Sequence, residues 1–398
     1  MVRVGALHRD SPALLDLIGV SEVKIRDVKT YRLDTALAEA FAYSQAWYER
    51  RGALLVEIVG EDGLSGWGEA FGPPVLTAPI VEFYKSLLVS ADAFAIELHW
   101  QNLYNRLRDH GQKGLAIEAL SAIDIALWDL KARYLGLPVH RLMGGPLRSR
   151  VQAYATGFYR KIGGDPVSYL IDEAQQRVDA GFTAIKLKLG FGIDEDVRLC
   201  RSIRQAVGEA MTIMVDANHA YDAVAAIRLG RHIEDLDICW FEEPVPPEDL
   251  QGYRRVKSAL RIPIAGGEAE FTRWGFRPIL VDRVLDILQP DVCAAGGLSE
   301  CKKIADMANA FGLRVNPHVW GTGVALAASL QLIATLPDNP PSLNPIAPLL
   351  EFDQSEHPIR MAVLTEPISQ QAGWVEVPTG PGLGIEIDRA AITKFLIG

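Results

Sequence analysis

Cysteine is scarce in this chain. Its four copies, Cys200, Cys239, Cys293 and Cys301, form no C-x-x-C pair. That excludes a disulfide framework and a thiolate metal centre, and it points to a reducing, cytoplasmic setting. Basic charge is also short, with 40 Lys and Arg against 50 Asp and Glu and a net charge of −10. Nucleic acid and anionic membrane are excluded as partners on that ground, because both require a basic face. No apolar run approaches the ~20 residues of a membrane span. Residues 1–22 lack the apolar core and small-residue cleavage site of a secretion signal, and an N-terminal extension is expected there. Histidine is rare as well, at eight residues. Only His318, with His219 nearby, lies close to a strand end, which argues against a histidine-rich hydrolase metal centre.

What is present is an ordinary globular composition, 49% apolar and 23% charged, in a chain long enough to bury a large core unaided. Val23–Leu33 and Ala53–Val59 read as strands, and the turn Glu61-Asp62-Gly63 leads into a third at Ser65–Glu69, so a hairpin is expected. Ile117, Leu120, Ile123, Leu127, Leu130 and Tyr134 then recur at helical spacing up to Gly136 and Pro138. Residues 23–145 therefore read as an α+β domain. From Val151 the rhythm changes to short apolar strands alternating with amphipathic helices, in repeats of about 30 residues, the size of a βα unit. The strands expected are Val151–Thr156, Ala184–Leu189, Thr212–Asn218, Ile238–Pro244, Ile262–Glu268, Ile287–Val292, Arg314–Val319 and Leu349–Phe352. Eight in series imply a (β/α)-type barrel over 146–360. The tail, 361–398, returns to hairpin-like sequence at Gly373–Val377 and is expected to pack back on the first domain.

The ends of these strands carry ionisable groups, where barrel enzymes hold their chemistry. Asp216, Glu242 and Glu268 fall at equal sequence intervals and so occupy equivalent places in successive units. Neighbouring strands lie about 4.8 Å apart, so three such carboxylates can share one hard cation, for which Mg²⁺ is the natural choice. Without a cation they would repel and shift upward. A single acid at such a position would serve equally well to cap the next helix. Three in register are better explained by a shared ligand.

Lys186 and Lys188 sit two apart in the apolar strand AIKLKL and so face the same side. Mutual repulsion would depress their pKa values and give Lys188 the neutral fraction a general base needs, while Lys186 stays charged to hold a substrate carboxylate. Ion pairing with the barrel acids is the alternative. Asp291 and His318 end adjacent strands, an arrangement in which a carboxylate sets the tautomer of an imidazole. Such parts suit removal of a proton α to a carboxylate, with metal and donors stabilising the enediolate.

With these motifs the sequence resembles the mandelate racemase subgroup of the enolase superfamily, over nearly all of the chain beyond residue 23. The resemblance implies an α/β fold, a modified TIM barrel (β/α)7β with an N-terminal α+β capping domain that residues 361–398 complete. It implies that Glu351 hydrogen-bonds the substrate carboxylate in its enediolate form, and that the chain assembles as a homo-oligomer. The stretches Tyr104–Asp109, Gly190–Gly192, Asp216–His219, His318–Gly323, Asn344–Pro345 and Leu350–Asp353 look like those of a cycloisomerase that opens galactaro-1,4-lactone by β-elimination. A dehydratase of linear acids such as galactarate or tartrate, and a racemase or epimerase, would use the same residues. A metal-dependent binding protein without catalysis is the reading from another class. The family places a substrate-facing loop at Phe41–Arg51, so Tyr43, Trp47 and Arg50 join Asn218 and Trp320 as expected substrate contacts. Arg50 or Arg51 would meet a second carboxylate.

Overall fold

The computed structural model describes residues 22–397, so the expected extension lies almost wholly outside the described residues. Strands β1 (Ile25–Ala42), β2 (Trp47–Gly60) and β3 (Ser65–Ala70) form an antiparallel meander. The expected hairpin closes at Gly63, whose φ of 88° suits glycine, and Gly60 N–H donates to the Leu64 carbonyl at 2.8 Å. Helices α1 (Pro74–Leu88), α2 (Ile96–Leu107) and α3 (Leu115–Tyr134) cover one face of this sheet. Helix α3 packs directly on β3 because β3 carries two glycines there. A Cβ at Gly66 would come within 2.1 Å of the Ala126 carbonyl oxygen, and one at Gly68 within 2.0 Å of that of Ala122.

After the short helix α4 (Val139–Leu142) the barrel begins. In order come β4 (Arg150–Thr156), the two-residue β5 (Arg160–Lys161), α5 (Pro166–Asp179), β6 (Ala184–Lys188) and α6 (Ile193–Val207). Then follow β7 (Thr212–Asp216), α7 (Ala223–Ile233), β8 (Ile238–Glu242), α8 (Leu250–Ala259), β9 (Ile264–Gly266) and α9 (Thr272–Val281). The series ends with β10 (Ile287–Leu288), α10 (Gly297–Ala310), β11 (Arg314–Val315), α11 (Gly323–Ile333) and β12 (Leu350–Asp353). Backbone pairing runs in parallel from β12 through β4 and β6–β10 to β11. Between β11 and β12, side chains bridge the gap. Leu349 N–H donates to Asn316 Oδ1 at 3.0 Å, and Val319 N–H to Glu351 Oε2 at 3.1 Å.

Two-residue alternation builds the interior in layers. Tyr154, Ala184, Met214, Trp240, Ala265 and Ile287 form a buried apolar floor. The next inward positions along the same strands are Thr156, Lys186, Asp216 and Glu242. An apolar plug thus seals one end of the barrel and raises the charged layer toward the strands' C-terminal mouth.

The tail packs on the first domain as expected only in its last part. Residues Trp374–Glu376 (β13) pair antiparallel with the start of β4, a barrel strand, and not with the first domain. Only beyond this does the chain return to the first domain. Leu383 N–H donates to Asp129 at 2.7 Å, Ile397 N–H donates to the Arg32 carbonyl at 2.9 Å, and α12 (Arg389–Phe395) places Arg389 on Glu57. Among the described residues no helix is long and apolar enough to cross a membrane.

Candidate active site

Asp216 and Glu242 end the paired strands β7 and β8, and Glu268 lies just beyond β9. One carboxylate oxygen from each lies within 4.8 Å of the others. Three hard oxygens converging so closely fit a small divalent cation. Glu268 Oε2 is buried with no hydrogen-bond partner among the described residues, which fits it to serve as a cation ligand. Burial pushes Glu242 up to about 7, against the pull of Lys186 and with the help of Asp216, Glu351 and Glu268. Asp216 does not follow the expected upward shift. It is as buried as Glu242, but the ammonium groups of Lys188 and Lys186 hold it below the usual carboxylate range.

The two lysines share a side of β6, and both are ion-paired with the acids. Lys186 is fully buried, 2.5 Å from Glu242 Oε1, 2.8 Å from Glu351 Oε1 and 3.6 Å from Asp216 Oδ2. Lys188 donates to Asp216 Oδ2 at 2.6 Å and to Asn218 Oδ1 at 3.0 Å. The expected neutral fraction on Lys188 is therefore corrected. Burial, the largest influence, would lower the amine, but Asp216, Tyr159 and Glu268 together outweigh it and the repulsion from Lys186 and hold the amine above its ordinary value.

Across the barrel mouth, His318 Nδ1 lies 2.6 Å from Asp291 Oδ2, and the other Asp291 oxygen accepts the Cys293 N–H at 2.6 Å. The opposite ring nitrogen, Nε2, stands 3.5 Å from Glu268 Oε2. Burial disfavours the imidazolium, yet the carboxylates of Glu268 and Asp291 raise His318 to about 10. Glu351 accepts from Thr156 Oγ1 at 2.6 Å as well as from Lys186 and Val319 N–H. Its burial is outweighed by Lys186 and His318, which keep it below the ordinary carboxylate range.

These groups open on a cavity of about 230 Å³ between barrel and first domain. Of the expected substrate contacts, Tyr43, Asn218 and Trp320 line it. Trp47 and Arg50 do not, and both are corrected. Trp47 is 53% exposed, and Arg50 pairs with Asp34 at the surface. The β1–β2 ladder loses register between Ala36 and Phe41, so strict alternation fails in the facing segment. As a result Tyr48 and Arg51, three residues apart, both reach Trp320, at 5.1 Å and 3.9 Å respectively.

Arg51 is buried behind this wall, bonded to Ser355 at 3.0 Å, and is not among the residues lining the cavity. Sequence reasoning missed Tyr48, Phe71, Thr156, Tyr159 and His219 as lining residues. Thr156 carried the signal of a strand end. Phe71 carried none, because it comes from the first domain.

Residues 25–144 match the mandelate racemase / muconate lactonizing enzyme N-terminal domain, and residues 169–391 match the enolase C-terminal domain-like family. D-galactarolactone cycloisomerase of Agrobacterium fabrum is 46% identical over 373 residues, covering 94% of this chain and 99% of that protein. Arabinonate dehydratase of Saccharolobus solfataricus is 34% identical over 379 residues, covering 93% and 99%. The crystal structure of the 3,6-anhydro-D-galactonate cycloisomerase from Zobellia galactanivorans matches with a TM-score of 0.86 at 38% identity, covering 94% of this chain and all of that one.

Proposed function

The chain belongs to the mandelate racemase / muconate lactonizing enzyme group of the enolase superfamily, and from that premise we propose that it is a Mg²⁺-dependent D-galactarolactone cycloisomerase. It removes the proton α to the free carboxylate of galactaro-1,4-lactone, and the ring carboxylate leaves from the β carbon. The product is a 3-deoxy-2-keto-hexarate, formed without added water.

The observation that carries this reading is the charge distribution over the cavity wall. The cationic candidates among its lining residues, Lys188 and His318, stand at the acid cluster, with the half-exposed His219 on Glu243 beside it. The remaining wall is largely aromatic, with Tyr43, Tyr48, Phe71, Tyr159 and Trp320, and it holds no arginine. A ligand with one carboxylate at the acid cluster and an uncharged ring beyond it fits this wall. The linear dianion would set its second carboxylate against this wall with no lysine or arginine to pair it, leaving only neutral donors such as the tyrosine hydroxyls in place of a bidentate cation.

Asp216, Glu242 and Glu268 would hold Mg²⁺, which when bound supplies Lewis-acid stabilisation of an enediolate. Lys186, buried and charged, lies where it can balance the substrate carboxylate. Lys188 on β6 and His318 after β11 face the cavity with β7–β10 between them on one side and β4 and β12 on the other. One takes the α proton, and the other gives a proton to the leaving carboxylate. The pull that raises Lys188 comes chiefly from Asp216. A carboxylate shared with a dication pulls less, which is the direction a general base requires. Asp291 holds His318 in one tautomer.

Separate incubations with the lactone and with linear galactarate test the assignment. Keto-acid formation from the lactone is expected. Formation from the linear acid alone would assign a dehydratase instead.

A further inference from the structure

The end of β3 belongs to the first domain, yet it touches both loops of the Asp291–His318 pair. Glu69 is buried there. Its carboxylate accepts Thr322 N–H at 2.9 Å, the Thr322 hydroxyl at 2.5 Å and Ala325 N–H at 3.0 Å. Thr322 is the N-cap of α11, so the carboxylate lies at the positive end of that helix, where negative charge is favoured. The packing is tight, since a Cβ on Gly321 would sit 2.6 Å from Glu69 Oε1.

Two residues further on, Phe71 N–H donates to the Cys293 carbonyl at 3.1 Å, and Cys293 N–H is the group that holds Asp291 Oδ1. The Phe71 ring stands edge-on to the His318 imidazole, with centroids 5.5 Å apart. The strand end thus grips the loop after β11 with Glu69 and the loop after β10 with Phe71.

We propose that Glu69 is a positioning residue. It fixes Trp320–Thr322, and through that loop it holds the His318 imidazole in register with Asp291, while it touches neither the cavity nor the three-carboxylate cluster. The cap domain thereby aligns an acid–base group that the barrel alone carries. This rests on the reading of His318 as an acid–base residue, and the test keeps the two apart.

The test is Glu69→Gln in the Mg²⁺-loaded enzyme. The amide keeps the shape but turns an NH2 toward donors. Turnover of galactaro-1,4-lactone should fall about 10- to 100-fold in kcat, the scale of a misplacement near 1 Å. KM should stay within about threefold and Mg²⁺ affinity by calorimetry within about twofold, because the carboxylate ligands lie on other strands. The proton on His318 Nδ1, bonded at 2.6 Å, should give a downfield resonance that is absent in His318→Asn and that moves or broadens in Glu69→Gln.

A kcat within about twofold of wild type overturns the proposal. So does a fall in kcat with the resonance unmoved, or one that follows lost Mg²⁺ binding. If Glu69→Gln does not fold, Thr322→Val must move the resonance and lower kcat in the same sense, and failure to do so overturns it equally. The resonance is read without substrate, so a wild-type protein inactive on the lactone would count against the proposed function and leave this measurement standing.

Discussion

Replacing Asp291 by Asn exchanges one carboxylate oxygen for an NH2 group and should stop most turnover. In the wild type one Asp291 oxygen faces His318 Nδ1 at 2.6 Å, and the other faces the Cys293 N–H at 2.6 Å. Both neighbours donate, and a carboxylate accepts from both. Asn offers one acceptor and one donor, so one bond must fail. If its carbonyl turns to Cys293, its NH2 faces Nδ1 and selects the tautomer with the proton on Nε2, where the ring can no longer accept a proton from the cavity side. If the carbonyl turns to His318, two N–H groups meet at Cys293 in a buried site, at a cost of about 1–3 kcal/mol. The first orientation is the less costly, so the wrong tautomer dominates. Loss of a correctly poised imidazole is worth about 10²- to 10⁴-fold in rate, or about 3–5 kcal/mol of activation free energy. The assay is keto-acid formation from galactaro-1,4-lactone with saturating Mg²⁺, alongside calorimetric unfolding to show that the fold is retained. A rate within about threefold of wild type would refute the dyad.

Glu242→Gln removes a ligand and also weakens the acceptor used by Lys186, Trp240 and Gln289. It should abolish turnover and weaken Mg²⁺ binding in calorimetry, whereas undiminished wild-type turnover in EDTA would exclude the metal role. Arg389→Ala tests how the tail is tied to the first domain. Burial alone would raise Glu57, but Arg389, with Ser65 and Tyr31, brings it down to about 2 from an ordinary 4.5. A depressed carboxylate contributes stability that is present above pH 4.5 and lost as pH falls toward 2. The substitution should therefore cost about 1 kcal/mol at neutral pH, since Arg389 is half exposed and screened. The gap in melting temperature should shrink across that window, and a gap constant from pH 7 to 2 would contradict the pairing.

The parts of the site legible in the sequence are those written in a repeating register. Asp216, Glu242 and Glu268 recur because each closes the same element in successive βα units, and Lys186 and Lys188 share a face because strand alternation has a period of two. Trp47 and Arg50 were placed at the substrate by the resemblance to a family loop and by no period in the chain, and the structure sets both at the surface. The charge state of Lys188 was misjudged because spacing along one strand shows how near Lys186 lies and not how near Asp216 lies on the next. Phe71 and Glu69 were beyond reach, because their contacts cross between domains and leave no period in the chain, and Tyr48 lay in the stretch expected to face substrate but was not singled out. The legible half serves proton abstraction, which any α-proton chemistry on this barrel needs. The half without a period walls the cavity with aromatic rings and holds Trp320 and the His318 loop in place. Because Tyr48 and Phe71 line the cavity from the first domain, substitutions there are expected to shift substrate preference where those at Glu242 abolish turnover outright.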